Sequence, residues 1–482
     1  MDSENVDILM HVEDATEAGN VVVTRVDGSK TADDDYDLLI ANIETNGLSA
    51  AANYQYIQTQ IDVTNYTDYI VAETFFANTD WPINNCDFWR THTNQVASCG
   101  QYGDTRWRWM LYDLDLAGAE GASFNMFTYL TSNTMTGKSE PGFLINKLWS
   151  CDAYKSFFVT RYANLLNTTF RPERTARIVK QDAQSIAPEI ENHFRRWGRS
   201  YTQAQWAQAV SNTLVRYTED RYTASWTHLS SSFSSVVGGL GYLTVSNRQA
   251  TGTGGYFLVN GVTIDTATDG VTNRAAWMGR FFRNLPVPVT AVPDSGYVFD
   301  GWVGTTLTNA TRSLVVGVSP ITAVARFRLA SAQAYSPTGY ERWQMANYTE
   351  QEIIKGAVTG PDAASGLAQI SNFALYALGL SRTNDLSTVL ARAQLSINSR
   401  TNELWVGYTR LSDSFTDVTY TLKVADSLGS SAVWRTAVMG DDLGIQAITN
   451  VLDPSTWHYE VKLPAASSER NARFFRLETS QP

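Results

Sequence analysis

Cysteine is nearly absent: the 482 residues contain three, at positions 86, 99 and 151. Three thiols cannot build a disulfide framework, so the fold must rest on buried apolar surface. Cys86 and Cys99 flank a polar loop; either they pair in an oxidising compartment and leave Cys151 free, or all three are ordinary thiols. Lysine is also scarce, with eight among the 37 cationic residues, which gives most ion pairing to arginine. Acidic residues number 48 and the net charge is -11, with no basic footprint of the kind that nucleic acids or anionic membranes require. That balance argues against both as partners. No run of about eighteen apolar residues occurs, so no membrane span is expected. The opening MDSENVDILM has neither a basic n-region nor an apolar h-region, so the chain as given is expected to carry no signal peptide. His11, His92, His193, His228 and His458 follow no metal spacing and adjoin no Ser or Cys motif, which leaves a zinc site or a hydrolase triad without support.

What the chain does have is core material. Hydrophobic residues make up 43% and aromatics 12%, with 14 tryptophans, enough for packed cores and little disorder. The length exceeds what one core can serve, and about three domains are expected.

The stretch that organises the chain runs from Phe75 to Leu116, FFANTDWPINNCDFWRTHTNQVASCGQYGDTRWRWMLYDLDL. In it Asp80 is followed five residues later by Asn85, and an apolar run, Trp107 to Tyr112, delivers Asp113-Leu114-Asp115. Phosphoryl transfer by a protein kinase asks for that order of groups. One carboxylate takes the proton of an acceptor hydroxyl, an amide oxygen five residues on holds a metal, and a second carboxylate after a strand holds Mg2+ against the phosphates. Alone, D-x-x-x-x-N is a weak pattern, more often a structural turn; the Asp-x-Asp behind an aromatic strand is what gives it weight.

Upstream, Val6 to Val12 and Val21 to Val26 read as a hairpin around the turn Asp27-Gly28-Ser29-Lys30. Helices are expected over Ala32 to Leu48 and Ala51 to Gln60, then from a cap at Asp62 or Thr64 until Pro82 stops the third. That third helix sets Glu73 on an apolar face, where a carboxylate needs a partner: a functional role or, by preference, a salt-bridged core position. Cys86 to Thr91 and Arg106 to Tyr112 read as paired strands. Pro141 begins a helical block that runs to about Ser231, in which Trp149, Trp197, Trp206 and Trp226 are packing residues. After Ser230 to Gly241 the pattern turns to strands over 242–328, a short helical stretch lies within 341–380, and strands resume from Thr388 to Leu477.

The segment IDVTNYTDYIVAETFFANTDWPINNCDFWR with RWRWMLYDLD resembles the C-terminal portion of the CotH kinase family, atypical secreted or spore-associated protein kinases. The resemblance covers about residues 1–231 and is specific at Asn78-x-Asp80-Trp81-Pro82, Asn85 and Trp109-x-x-x-Asp113-x-Asp115. It implies Asp80 as the catalytic carboxylate, Asn85 and Asp113 as metal ligands, and Asp115 as a support beside the cofactor; ATP with Mg2+ or Mn2+ would be the cofactors. Asp113 is preferred to Asp115 as the residue that ends the strand. Residues 275–327, with AWMGRFFRNLPVPVTAVPDSGYVFDGWVG, are similar to the internalin-type B-repeat. The tail, with GPDAASGLAQISNFALYALGL and RFFRLE, is similar to a C-terminal β-sandwich of secreted bacterial proteins. Where relatives carry an Asp-rich calcium loop, this chain has Ala363, Ala364, Ser365 and Gly366, so no calcium is expected.

The fold class expected is multidomain. An α+β atypical kinase-like domain, mostly C-lobe, spans 1–231; a Ser/Gly linker spans 232–241; two small all-β modules follow, B-repeat-like at 242–330 and β-sandwich-like at 331–482. Relatives have a longer N-terminal portion, and Lys30 is the one lysine before Asp80, so the resemblance implies a domain that lacks its nucleotide-covering lobe and has low or absent phosphoryl transfer. The expected setting is extracellular or at the cell surface, with a protein phosphoacceptor or another surface partner. The alternative is a non-catalytic adhesin or scaffold that carries a decayed kinase domain, whose aromatic modules bind polysaccharide, although Trp277 and Trp302 suit a β core at least as well. A glycoside hydrolase built on Asp80 and Asp113 is less favoured, since nothing in that chemistry explains Asn85.

Overall fold

The computed structural model describes residues 6–12, 22–24, 34–82, 85–91, 101–132, 140–268, 271–367, 370–400, 403–428, 432–438, 443, 446–453, 455–463 and 474–480. The Asp27-Lys30 turn, Cys99 and the pair Asp269-Gly270, where the sequence pattern predicts a turn between strands, lie outside them, and so does any pairing of Cys86 with Cys99. Among the described residues no helix is long and apolar enough to cross a membrane. The architecture is a mostly helical α+β region followed by small all-β sheets, as the sequence pattern predicts. Contacts divide the chain into two compact units, residues 1–295 with 310–323, and residues 296–309 with 324–482.

The first unit opens with β1 (Val6–Val12) and β2 (Val22–Thr24), an antiparallel pair. Helices α1 (Asp34–Asn46), α2 (Ala51–Gln60) and α3 (Val63–Phe76) follow. Strands β3 (Cys86–Thr91) and β4 (Arg108–Met110) then complete a sheet of order β2-β1-β3-β4. Helix α3 is its central element. Ten of its 14 residues are buried, so it is apolar on nearly every side and is enclosed rather than lying on a surface. Asp62 caps its start by accepting from the Asn65 amide at 3.1 Å. Its end differs from the expectation: the helix stops at Phe76, where Ala77 turns left-handed at φ 51°, five residues before Pro82. The stop is set by that turn, and Pro82 merely shapes the loop beyond it.

A short helix that periodicity alone misses, α4 (Met126–Leu130), precedes α5 (Glu140–Leu148), α6 (Asp152–Asn167), α7 (Pro172–Ile186), α8 (Ile190–Arg196), α9 (Gln203–Ala209) and α10 (Arg216–Ser232). Phe127, Trp149, Phe158 and Phe233 meet edge-on or tilted with ring centroids 5.3–6.0 Å apart, which makes Trp149 a core residue. Trp226 is likewise buried, whereas Trp197 is 61% exposed and is not the packing residue its helical spacing implied.

The stretch expected to link two modules is held at both ends, by buried Phe233 and by paired main-chain bonds between Gly238, Gly239 and Arg283. Beyond it β5 (Leu240–Asn247) pairs with β8 (Ala276–Phe282). Strands β6 (Gly255–Val259), β7 (Val262–Ile264), β9 (Pro286–Pro293) and β11 (Thr311–Val315) form a sheet of order β11-β9-β6-β7.

These strands dock on α6 through a polar stripe. Arg161 forms a two-pronged ion pair with Asp68 of α3 at 2.7 Å and also donates to the Asn260 carbonyl. Asn164 donates to the Val259 carbonyl, and the Asn167 amide bonds both the N–H and the C=O of Arg280, at 2.9 and 2.8 Å, as a neighbouring strand would. Spacing of three residues puts all three side chains on one face of α6. Removing the fork leaves a partly buried peptide N–H and C=O unpaired, so Asn167→Ala is expected to lower stability by about 1–3 kcal/mol. Urea unfolding of the whole chain measures this, and an unchanged midpoint would count against a structural role for the stripe.

The second unit contains β10 (Tyr297–Trp302) and β12 (Ile321–Leu329) from Val324 onward, which pair from Tyr297-Leu329 to Trp302-Ala325. Trp302 is fully buried and donates its indole N–H to the Asn309 carbonyl, so it is core and not a ligand platform. Helices α11 (Gly339–Asn347), α12 (Glu350–Lys355), α13 (Asn372–Ala377) and α14 (Leu386–Ala393) follow. The last of these stands where strands were expected to begin. The strands are β13 (Ser396–Arg400), β14 (Glu403–Leu411), β15 (Thr419–Ala425), β16 (Arg435–Thr436), β17 (Gln446–Asp453), β18 (Thr456–Lys462) and β19 (Phe474–Ser480). They form two sheets, β13-β14-β18-β17 and β16-β15-β19.

Candidate functional site

Three segments of the first unit meet at the C-terminal end of α3. The helix brings Glu73, the loop after it brings Asn78 and Asp80, and the turn after β4 brings Asp113 and Asp115.

Strand β4 has only three residues, too few to hold its own position. On one edge it pairs with β3 from Asp87-Met110 to Trp89-Arg108. Its other flank is held by Asn65, whose side-chain oxygen accepts from the Trp109 N–H at 2.7 Å and whose nitrogen donates to the Trp109 carbonyl at 3.3 Å. Two residues earlier, Trp107 bonds the main chain at Gln60 and Asp62. Arg108, 2% exposed, then pairs with Asp62 at 3.1 Å and with Asp104 at 2.8 Å. The Arg106 and Arg108 guanidiniums hold the Asp104 carboxyl below its ordinary range against the opposing effect of burial. Sequence reading missed Asn65; its one signal was an amide in the first turn of a helix that otherwise reads as core.

The strand ends at Met110, so Asp113 lies in the turn beyond it and does not terminate the strand as expected. Its φ of 50° is a left-handed conformation that Asp and Asn tolerate better than most side chains, and Asn85 adopts the same region at 58°. The turn is tied back to the end of α3: Gly118 N–H reaches the Ala77 carbonyl at 3.4 Å, and Asn78 and Ala117 form an isolated antiparallel bridge. Gly118, at φ 73°, has the Tyr217 ring where a Cβ would stand, 2.7 Å away, and Tyr217 itself donates to the Phe76 carbonyl.

Within this frame Asn85 donates its side-chain nitrogen to the Asp80 carboxylate at 2.8 Å. The Asp115 carboxylate first, then desolvation and the Asp80 carboxylate, raise the Asp113 carboxyl above its ordinary range. Asp113 and Asp115 are exposed and Asp80 is half-buried. The four sequence-predicted residues thus share one neighbourhood of oxygen donors with excess negative charge. Behind them, Glu73 and Asn78 are fully buried. The Asn78 nitrogen donates to a Glu73 carboxyl oxygen at 3.1 Å and to the Asp113 main-chain carbonyl at 3.4 Å. Burial, partly offset by that amide, pushes the Glu73 carboxyl up to about 8. The expected ion pair is therefore replaced by an amide contact.

An all-oxygen donor set of carboxylate and amide suits a hard divalent cation. Among the described residues no three His, Cys, Asp or Glu side chains are grouped to hold a metal by themselves. This composition fits Mg2+ or Mn2+ in the manner usual at phosphoryl-transfer sites, where one or two carboxylates share the ion with substrate phosphates.

Residues 4–224 match the CotH kinase protein family model, and residues 262–331 match the divergent InlB B-repeat domain. No curated protein and no solved structure gave a match. The chain thus carries a CotH kinase domain at 4–224, followed by a divergent InlB B-repeat domain at 262–331.

Proposed function

We propose that this chain is an atypical protein kinase that transfers the γ-phosphoryl group of ATP to a Ser or Thr hydroxyl of a protein at the cell surface or outside the cell. The observation that carries this reading is the Asp80-Asn85 hydrogen bond beside an Asp113 whose carboxyl is raised by its acidic neighbours, inside a CotH domain. Asp80 accepts or orients the proton of the acceptor hydroxyl; its bond to Asn85 fixes the carboxylate for that task. Asn85 and Asp113 would hold Mg2+ or Mn2+, with Asp115 beside them, and the ion supplies charge neutralisation at the phosphates. Positioning and electrostatics do most of the work in this chemistry, so the chain's contribution is to keep these side chains in register while repulsion among the carboxylates favours a cation.

The test is transfer of label from γ-labelled ATP in the presence of Mn2+ to generic protein acceptors. Label is expected with the wild-type chain and at background with Asp80→Ala. Equal incorporation by both, or none by either together with no thermal stabilisation by ATP and Mn2+, would instead make the domain a non-catalytic scaffold.

A further inference from the structure

Two buried oxygens behind the site have no donor: Oε1 of Glu73 and Oδ1 of Asn78. They belong to side chains already joined by their other ends, Nδ2 of Asn78 to Oε2 of Glu73. An uncompensated buried acceptor costs stability, and two of them facing no donor would make this contact a poor one. A single proton on the Glu73 carboxyl changes the account, because a neutral carboxylic acid is both donor and acceptor and matches an amide edge to edge. We propose that Glu73 is carried as a neutral acid in a closed acid-amide pair with Asn78, and that this pair is the positioning device that sets the Asp113 turn against the Asp80 loop.

The geometry supports both halves. Asn78 lies two residues before Asp80 and is bound to the Asp113 side by the bond from Nδ2 to the Asp113 carbonyl and by the bridge to Ala117. It is bound to α3 by its own N–H to the Glu73 carbonyl at 3.3 Å. An amide held on only one edge can rotate and release the Asp113 carbonyl; held on both, it cannot. Burial, which disfavours the carboxylate, acts in the same direction as the proton. Glu73 touches no reacting atom and is a positioning residue. Its importance for turnover rests on the phosphoryl-transfer reading, whereas its protonation and its hold on the turn do not.

The experiment uses the full chain with Glu73→Gln, which restores a donor and an acceptor without charge, and Glu73→Met, which fills the space with neither. The infrared difference between wild type and E73Q at neutral pH should show the carbonyl band of an un-ionised carboxylic acid. Hydrogen exchange at Ala117 and Gly118, without nucleotide, should stay within about threefold of wild type in E73Q and rise by about tenfold or more in E73M. A missing acid band, or E73Q exchanging as fast as E73M, overturns the proposal. If E73M does not fold, E73Q decides alone: it must lose the band and keep slow exchange. Both readouts stand even where no phosphoryl transfer is detected, so failure of the kinase reading and failure of this one are distinguishable. Where transfer is detected, E73M should lose kcat while keeping KM for ATP within about threefold, and E73Q should recover kcat.

Discussion

Arg221→Met is expected to be the most destabilising single substitution in the helical region, at about 3–5 kcal/mol. The side chain on α10 is 2% exposed, and its bonds run to main-chain carbonyls: Nε to Phe75 at 2.6 Å, Nη2 to Thr74, and Nη1 to Ala122 and Phe124. Phe75 and Thr74 are in the last turn of α3, whose carbonyls have no intrahelical partner, and a cation there also meets the negative end of the helix dipole. Ala122 and Phe124 lie on the segment that returns from the Asp113 turn. One guanidinium therefore closes the end of α3 and ties the next loop to it. Methionine keeps much of the volume but strands these carbonyls without donors. Lysine keeps the charge but lacks the planar fork, so Arg221→Lys should recover only part of the loss. Urea unfolding followed by far-UV circular dichroism measures both, and a loss below about 1 kcal/mol for R221M would mean the carbonyls find water instead.

The parts of this fold legible in the sequence are those fixed by nearest neighbours. Asp62 before an apolar run is a cap because a carboxylate can reach the first-turn amides, and the structure has that bond to Asn65. The strands around Phe88 and Trp109 follow from local aromatic character, and their rings stack at 5.2 Å across the pair. What escapes such reading depends on partners distant in sequence. Asn65 holds Trp109 from 44 residues away, and Asn167 holds Arg280 from 113. Neither amide stands out in its own helix, where an asparagine is merely a poor helix former. Helix α14 was hidden because Leu386 to Ala393 is short and its apolar spacing is shared with the strand pattern that follows. The stop of α3 at Ala77 has no sequence signal, since an alanine at positive φ is chosen by the contacts around it and not by its own preference. The Asp80-Asn85 spacing was visible; that Asp113 sits in a turn past its strand was not, because that turn is held by Ala77 and Asn78.

The same buried carboxyl that anchors the Asp113 turn should dominate the alkaline side of the stability profile. Glu73 is held up to about 8 in the folded chain, against an ordinary value of 4.5. Its folded-state value is the higher one, so between these two values the native state holds a proton that the unfolded chain has released. Stability from this group is then complete below about 4.5, declines as pH rises, and is exhausted above about 8. Over that window the loss attributable to Glu73 is expected to be on the order of 3–5 kcal/mol. Asp113 is also raised above its ordinary range, by Asp115 first, so the informative quantity is the difference between wild type and Glu73→Gln. Glutamine cannot ionise, and the wild-type chain should become less stable relative to E73Q as pH rises, with the slope vanishing above the folded value. Urea midpoints of the two chains at intervals from pH 5 to pH 9 measure this. A difference that is flat across the range would place the Glu73 proton equilibrium at its ordinary value and leave the burial of this carboxyl to be compensated by a cation, while a difference of the opposite sign would mean that the fold selects the carboxylate.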